Sequence, residues 1–210
     1  MTAHTPERNP ATMPPRHYTE LQLDALQELA SIGSGTAATA LAQLLGRPVD
    51  ITVPRARALG LADAVDAAGA PEEQVASALM GVGGDLEAVV LLLFPSADEA
   101  TICGLLGVEA DTDVGDSALG EIANILGASA LGALAKMTEL ALEPRPPAVI
   151  HDMLGAIVAS VLAETAGDVD VALMLDAELS IAGAPCSVSF MLLPTAGAVD
   201  ELLARLGLDR

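Results

Sequence analysis

The sequence predicts an α/β protein of the α+β type, an internally duplicated pseudo-twofold domain with a mainly antiparallel central sheet and helices packed on it. Three observations carry that prediction. Each half of the chain opens on a long helical segment with a polar stripe, each continues into an apolar hairpin, and the segments after the hairpins echo one another. Phe94-Pro95-Ser96 is answered by Leu193-Pro194-Thr195, and both following helices end in Leu-Gly.

Residues 1–18 (MTAHTPERNPATMPPRHY) are polar and proline-rich and are expected to form a disordered N-terminal tail. Residues 19–210 are expected to form a single domain of two repeats, about 19–109 and 114–207. Thr19 followed by Gln22 is a capping-box start, and the helix it opens runs to about Leu45, with Leu26, Leu29, Ala37 and Leu44 on one face. Gly46 and Pro48 end it. Val49–Val53 reads as a strand stopped by Pro54, and residues 55–73 as irregular or a short helix. Val75–Val82 and Leu86–Phe94 flank Gly83-Gly84-Asp85, a hairpin signal, and Pro95-Ser96 opens a short helix through Leu106.

The second half repeats the order. A long helix is predicted over about Ser117–Leu142, a strand around Ala148–His151 and a helix over Met153–Ala166. A hairpin of Val169–Ile181 and Cys186–Leu193 turns at Ala182-Gly183-Ala184-Pro185, and Pro194-Thr195 opens a last helix through Leu206. Both hairpins are too apolar to stand alone, which favours one domain over two.

Composition narrows the function. The chain of 210 residues is 52% hydrophobic with a mean hydropathy of +0.51. Its longest strongly apolar run, Ala88–Phe94, is far short of the roughly 20 residues that span a bilayer. The first 18 residues contain no apolar segment of the secretory kind, so a cytoplasmic location is expected. A net charge of −20 argues against nucleic acid and against an anionic membrane face, both of which select basic patches. Cys103 and Cys186 stand alone in apolar surroundings and read as buried free thiols. His4, His17 and His151 are scattered, so no bound metal or other cofactor is expected in this chain.

The residues that carry chemistry lie on the second long helix. Ser117, Glu121 and Asn124 are spaced i, i+4, i+7, which places them in a stripe only about 60° wide. Leu119, Ile122 and Leu126 take the opposite side. Asp24, Glu28 and Ser31 repeat the stripe on the first helix, with Leu26 and Leu29 opposite. A small residue, Ala128 or Gly35, follows one turn on and leaves room for another protein's backbone. A Glu and an Asn on a solvated helix are ordinary. Two features set these apart: the separation of Glu28 from Pro54 recurs between Glu121 and Pro147, and Asn124 sits in a helix interior against its propensity.

The pattern Asp/Ser-x3-Glu-x2-Asn-x22-Pro resembles the signature of the CheC/CheX/FliY phosphatases of chemotaxis. The second copy matches at Ser117, Glu121, Asn124 and Pro147; the first matches at Asp24, Glu28 and Pro54 but carries Ser31 where the family has Asn. The resemblance spans about residues 19–207 and is nearest to CheC in length and duplication. It implies hydrolysis of the aspartyl-phosphate on a CheY-type response regulator, with Mg²⁺ supplied by that partner. It implies that Asn124 places the attacking water, that Glu121 pairs with a lysine beside the phosphoaspartate, and that Ser117 and Pro147 support the helix start and the loop. The first site is expected to be degenerate, because a serine hydroxyl is about one bond shorter than the amide. The alternative implied by the same resemblance is a non-catalytic adaptor that holds the CheD deamidase or a regulator.

Overall fold

Thr19 caps the first helix as the sequence predicts: its hydroxyl accepts from the Gln22 N–H, and the Gln22 side chain accepts from the Thr19 N–H at 2.8 Å. The computed structural model describes residues 18–164, 171–195 and 197–208. The tail expected at residues 1–18 therefore lies outside the described residues except for Tyr18, which packs beside Ala58 and Leu208 on an apolar cluster of Val171, Val199 and Leu203.

The elements run α1 (Glu20–Leu45), β1 (Val49–Leu59), α2 (Leu61–Ala68), β2 (Gln74–Gly84), β3 (Ala88–Pro95), α3 (Ser96–Leu106), α4 (Asp113–Thr138), β4 (Leu142–Pro144), β5 (Ala148–Met153), α5 (Leu154–Glu164), β6 (Ala172–Ile181), β7 (Ala184–Pro194) and α6 (Ala198–Arg205). All seven strands join one antiparallel sheet in the order β1-β6-β7-β3-β2-β4, with β5 pairing β2 alongside β4. The two hairpins meet at its centre through β3 and β7, where Leu91 faces Met191 and Leu92 faces Phe190 in register. Each repeat hands its first strand to the other: β1 pairs β6 of the second hairpin, while β4 and β5 pair β2 of the first.

Strand alternation builds a core on each side of the sheet. Val90, Leu92 and Phe94 of β3 point to the side covered by α1, α3, α4 and α6, where they join Leu26, Leu41, Ile102, Leu119, Ile122 and Leu202. Leu91 and Leu93 point the other way, onto Ala64 of α2 and Leu154, Ile157, Val158 and Val161 of α5. Burial on both faces explains why this strand reads as an unbroken apolar run. Each such side chain contributes roughly 1.5–3 kcal/mol of transfer free energy.

Several boundaries differ from the sequence expectation. β1 is not stopped by Pro54 but runs on to Leu59, with the register shifting between Thr52 and Arg55. A bulge on an edge strand accommodates a residue with no N–H to give to the ladder. The second long helix starts four residues earlier than Ser117, behind a Thr112 cap whose hydroxyl accepts the Gly115 N–H at 3.1 Å. It also ends at Thr138 rather than Leu142, because Glu139 turns into the left-handed region at φ 58° and frees Leu142–Pro144 to form β4. The β6–β7 turn takes only Ala182 and Gly183, both at positive φ, so Ala184 and Pro185 already belong to β7. The last helix opens at Ala198 after Gly197, not at Pro194-Thr195. Leu44, expected in the buried face of α1, is exposed; Leu41 and Leu45 pack there instead. The segment at 165–170, expected to end one helix and begin a strand, lies outside the described residues.

α4 is long and apolar enough by length and composition to cross a membrane. Leu119, Ile122, Leu131 and Leu134 give that apolarity a structural reason, since all four are core residues facing the sheet.

Candidate functional site

α1 and α4 lie side by side on the sheet and are the same length, 26 residues each, so their stripes occupy equivalent places. On α4 the side opposite the stripe is buried: Leu119 is 0% exposed, Ile122 1%, and Leu126 packs on the same core. This anchors the polar side outward. Glu121 and Ser117 are exposed and Asn124 is half-buried. Among the described residues neither Glu121 nor Asn124 has a hydrogen-bonding side-chain partner within the chain, leaving a carboxylate and an amide with unused capacity.

The stripe forms one wall of an open groove of about 570 Å³. Pro144, Pro146, Pro147 and Val149, from the β4–β5 segment, form the other wall. Three prolines within four positions fix φ and leave few conformations for this edge. The two walls draw together at Gly120 and Val149: a Cβ added at Gly120 would stand 3.7 Å from Val149 Cγ2. Ser117 does not start the helix, contrary to the role expected for it, because Thr112 does. It lies one turn before Glu121 on the groove wall instead.

The first copy brings Asp24 and Glu28 to its helix surface, both exposed. Ser31 Oγ, however, donates to the Gln27 carbonyl of its own helix at 2.9 Å. Its one polar group is thus turned back onto the backbone. Pro54 lies within β1 rather than in a loop between two strands, so the first copy has no counterpart to the break between β4 and β5.

Sequence reasoning missed an ionic cluster next to the second stripe. His151 Nε2 lies 2.8 Å from Asp116 Oδ1, and its Nδ1 lies 3.9 Å from both Glu99 Oε1 and Asp111 Oδ1. Glu99 is buried, and its Oε1 accepts the Asp111 N–H at 3.3 Å. Cys103, also buried, has its thiol pKa raised above the ordinary value, first by desolvation and then by the charges of Glu99 and Asp116. His151 stands alone in the sequence because its partners are 35 to 52 residues away in the chain, beyond the reach of any local signal. Among the described residues no three or more His, Cys, Asp or Glu side chains are arranged to hold a metal ion.

Fold and site together define a duplicated α+β domain whose polar residues stand on an open helix ridge beside a proline-walled groove. The model of the CheC-like family matches residues 21–56, which take in α1 and most of β1, and residues 114–151, which take in α4, β4 and most of β5. The chain is 37% identical over 169 residues to the CheY-P phosphatase CheC of Bacillus subtilis (strain 168), covering 76% of this chain and 80% of that protein. The chain belongs to the CheC-like family. Among solved structures it is similar to Thermotoga maritima FliY, with a TM-score of 0.70 at 20% identity over 92% of this chain and 99% of that one. It is also similar to a chain of the FliG–FliM complex from H. pylori, with a TM-score of 0.65 at 14% identity over 89% and 100% of the two chains. These two likenesses establish a shared fold.

Proposed function

We propose that this CheC-like chemotaxis protein is a phosphatase that hydrolyses the aspartyl-phosphate of a CheY-type response regulator at its second site. One observation carries the reading: Glu121 and Asn124 stand one turn apart on an outward ridge, free of partners among the described residues, in a chain 37% identical to a CheY-P phosphatase.

An acyl phosphate is already labile, and its hydrolysis requires chiefly a water held in line with phosphorus. The Asn124 amide both accepts from and donates to such a water, and its place on a helix braced by Leu119 and Ile122 holds it in position. Glu121, one turn before it and exposed, pairs with a regulator lysine and sets the docking register. The groove beside the ridge receives the regulator's surface, and the rigid proline wall limits how it can seat. The regulator brings Mg²⁺, which neutralises phosphoryl charge; no residue of this chain is assigned to it. The first site docks a regulator through Glu28 at most, because Ser31 has its hydroxyl committed to Gln27.

The test is direct. The chain is added to a phosphorylated CheY-type regulator with Mg²⁺, and phosphate loss is followed against the regulator's own decay. Acceleration that depends on Asn124 supports the reading. An unchanged decay with measurable binding would instead make the protein an adaptor, for a regulator or for CheD.

A further inference from the structure

The two copies differ in kind at four matched positions. The residue before the helix cap is Tyr18 in the first and Asp111 in the second; the fourth after the cap is Leu23 or Asp116. The fourth after the shared proline is Ala58 or His151, and the eighth before the glycine that follows a repeat's last helix, which each stripe takes from the opposite repeat, is Val199 or Glu99. Beside the first stripe Tyr18, Ala58 and the second repeat's Val199 share one apolar cluster, and Leu23 packs on the main core. Beside the second stripe all four positions are ionisable, with Glu99 coming from the first repeat, and they converge on His151.

The convergence lies at the end of the groove. Along β5 and α4 the contacts form a ladder: His151 meets Asp116 at 2.8 Å, and two residues back on the strand Val149 meets Gly120, one turn further along the helix. Two residues back again is Pro147 and one further turn is Asn124, both in the groove walls. Asp116 itself lines the groove, immediately before Ser117.

We propose that His151 is a positioning residue for the Asn124 site. By donating from Nε2 to Asp116 while its other nitrogen faces Glu99 and Asp111, it locks the start of α4 to the far end of β5. That lock sets the spacing between Asn124 and the proline wall. An apolar contact is non-directional, whereas a hydrogen bond to a carboxylate constrains distance and angle together. Beside the first stripe, where Ser31 stands in place of Asn, the matched positions form an apolar cluster instead. The proposal rests on the phosphatase reading.

The experiment compares wild type, Asn124→Ala, His151→Ala, His151→Gln and the triple variant Glu99→Val/Asp116→Leu/His151→Ala, which imports the residues found beside the first stripe. Each is assayed for regulator dephosphorylation over a range of regulator concentrations, with thermal melting alongside. His151→Ala should lower kcat roughly tenfold, with KM changed less than about twofold, because alignment is lost while Glu121 still docks. His151→Gln, which offers an amide donor to Asp116, should recover most of that loss. The triple variant should melt no lower than His151→Ala and remain slow. A folded His151→Ala or triple variant with wild-type kcat overturns the positioning role, as does a Gln variant no better than Ala. If Asn124→Ala abolishes activity in the same assay, that failure belongs to His151 alone. If wild type itself does not accelerate dephosphorylation, the phosphatase reading falls and takes this role with it.

Discussion

Gly33 of α1 rests against Ala130 of α4 so closely that an added Cβ would stand 2.9 Å from Ala130 Cα and 3.1 Å from the Ser129 carbonyl oxygen. The obstacle is backbone on a packed helix and cannot step aside as a flexible side chain would. This contact sets how near the two stripe-bearing helices approach, and so the spacing of the two sites.

Gly33→Ala should therefore force the helices apart and lower stability by about 1–3 kcal/mol, although alanine is the better helix former. Gly132→Ala is the control, since nothing lies within 4 Å of a Cβ there and the position is exposed on α4. It should raise stability by up to about 1 kcal/mol. Chemical denaturation of both variants checks the sign of each change.

Asn124→Ala should reduce regulator dephosphorylation by roughly 10²-fold or more, comparable to removing one preorganised polar group from other active sites. The fold should survive, because the stripe lies opposite the buried face of α4. Ser31→Asn should add activity and partly rescue Asn124→Ala, since Asp24 and Glu28 already stand exposed on α1. Initial rates for the three variants and wild type check this. A fully active, folded Asn124→Ala would end the mechanism proposed for the second site.

Glu121→Ala should weaken binding of the phosphorylated regulator more than it slows turnover at saturation. The carboxylate is exposed and has no hydrogen-bonding partner in the chain among the described residues, so its removal disturbs nothing inside the fold. Titration of the regulator against the variant, with kcat measured in parallel, separates docking from chemistry.

Alkaline pH should destabilise the protein through its cysteines. Burial raises the thiol pKa of Cys103 and Cys186 in the folded state, with nearby acidic charge adding to it. The folded state thus holds its thiol protons more tightly than the unfolded chain. The resulting stabilisation is complete below the unfolded thiol pKa of about 8.5 and declines as pH rises above it. Urea midpoints at neutral pH and above pH 9 should show this decline. Cys103→Ala should reduce its slope, and a slope unchanged in that variant would place its cause elsewhere.

Much of this architecture is legible in the sequence because its signals are local. The Thr19–Gln22 capping box, the hairpins around Gly83-Gly84 and Ala182-Gly183, and the period that sends Leu119 and Ile122 inward all act within a few residues of chain. The ridge was legible for the same reason, being a helical spacing. What escaped was set by distant partners. Pro54 reads as a strand stop until the edge position of β1 and the bulge beside it are known. Ser117 begins the visible motif, whereas the backbone cap is Thr112, more than a turn earlier. Asp116 and His151 become neighbours only after β5 has joined β2 and lies along α4.

The exchange of first strands between the repeats bears on how such a chain can be inherited. β6 has the first repeat's β1 on its outer side, and β2 has the second repeat's β4 and β5. Neither half is a closed folding unit. A gene encoding one half alone would yield either an exposed sheet edge or an intertwined pair of copies, and the fused chain has the connectivity of such a pair joined end to end. The first half can therefore differ from the second on its helix surface, as at Ser31 against Asn124, but a deletion cannot discard that half, because its strand completes the sheet on which the other half is built.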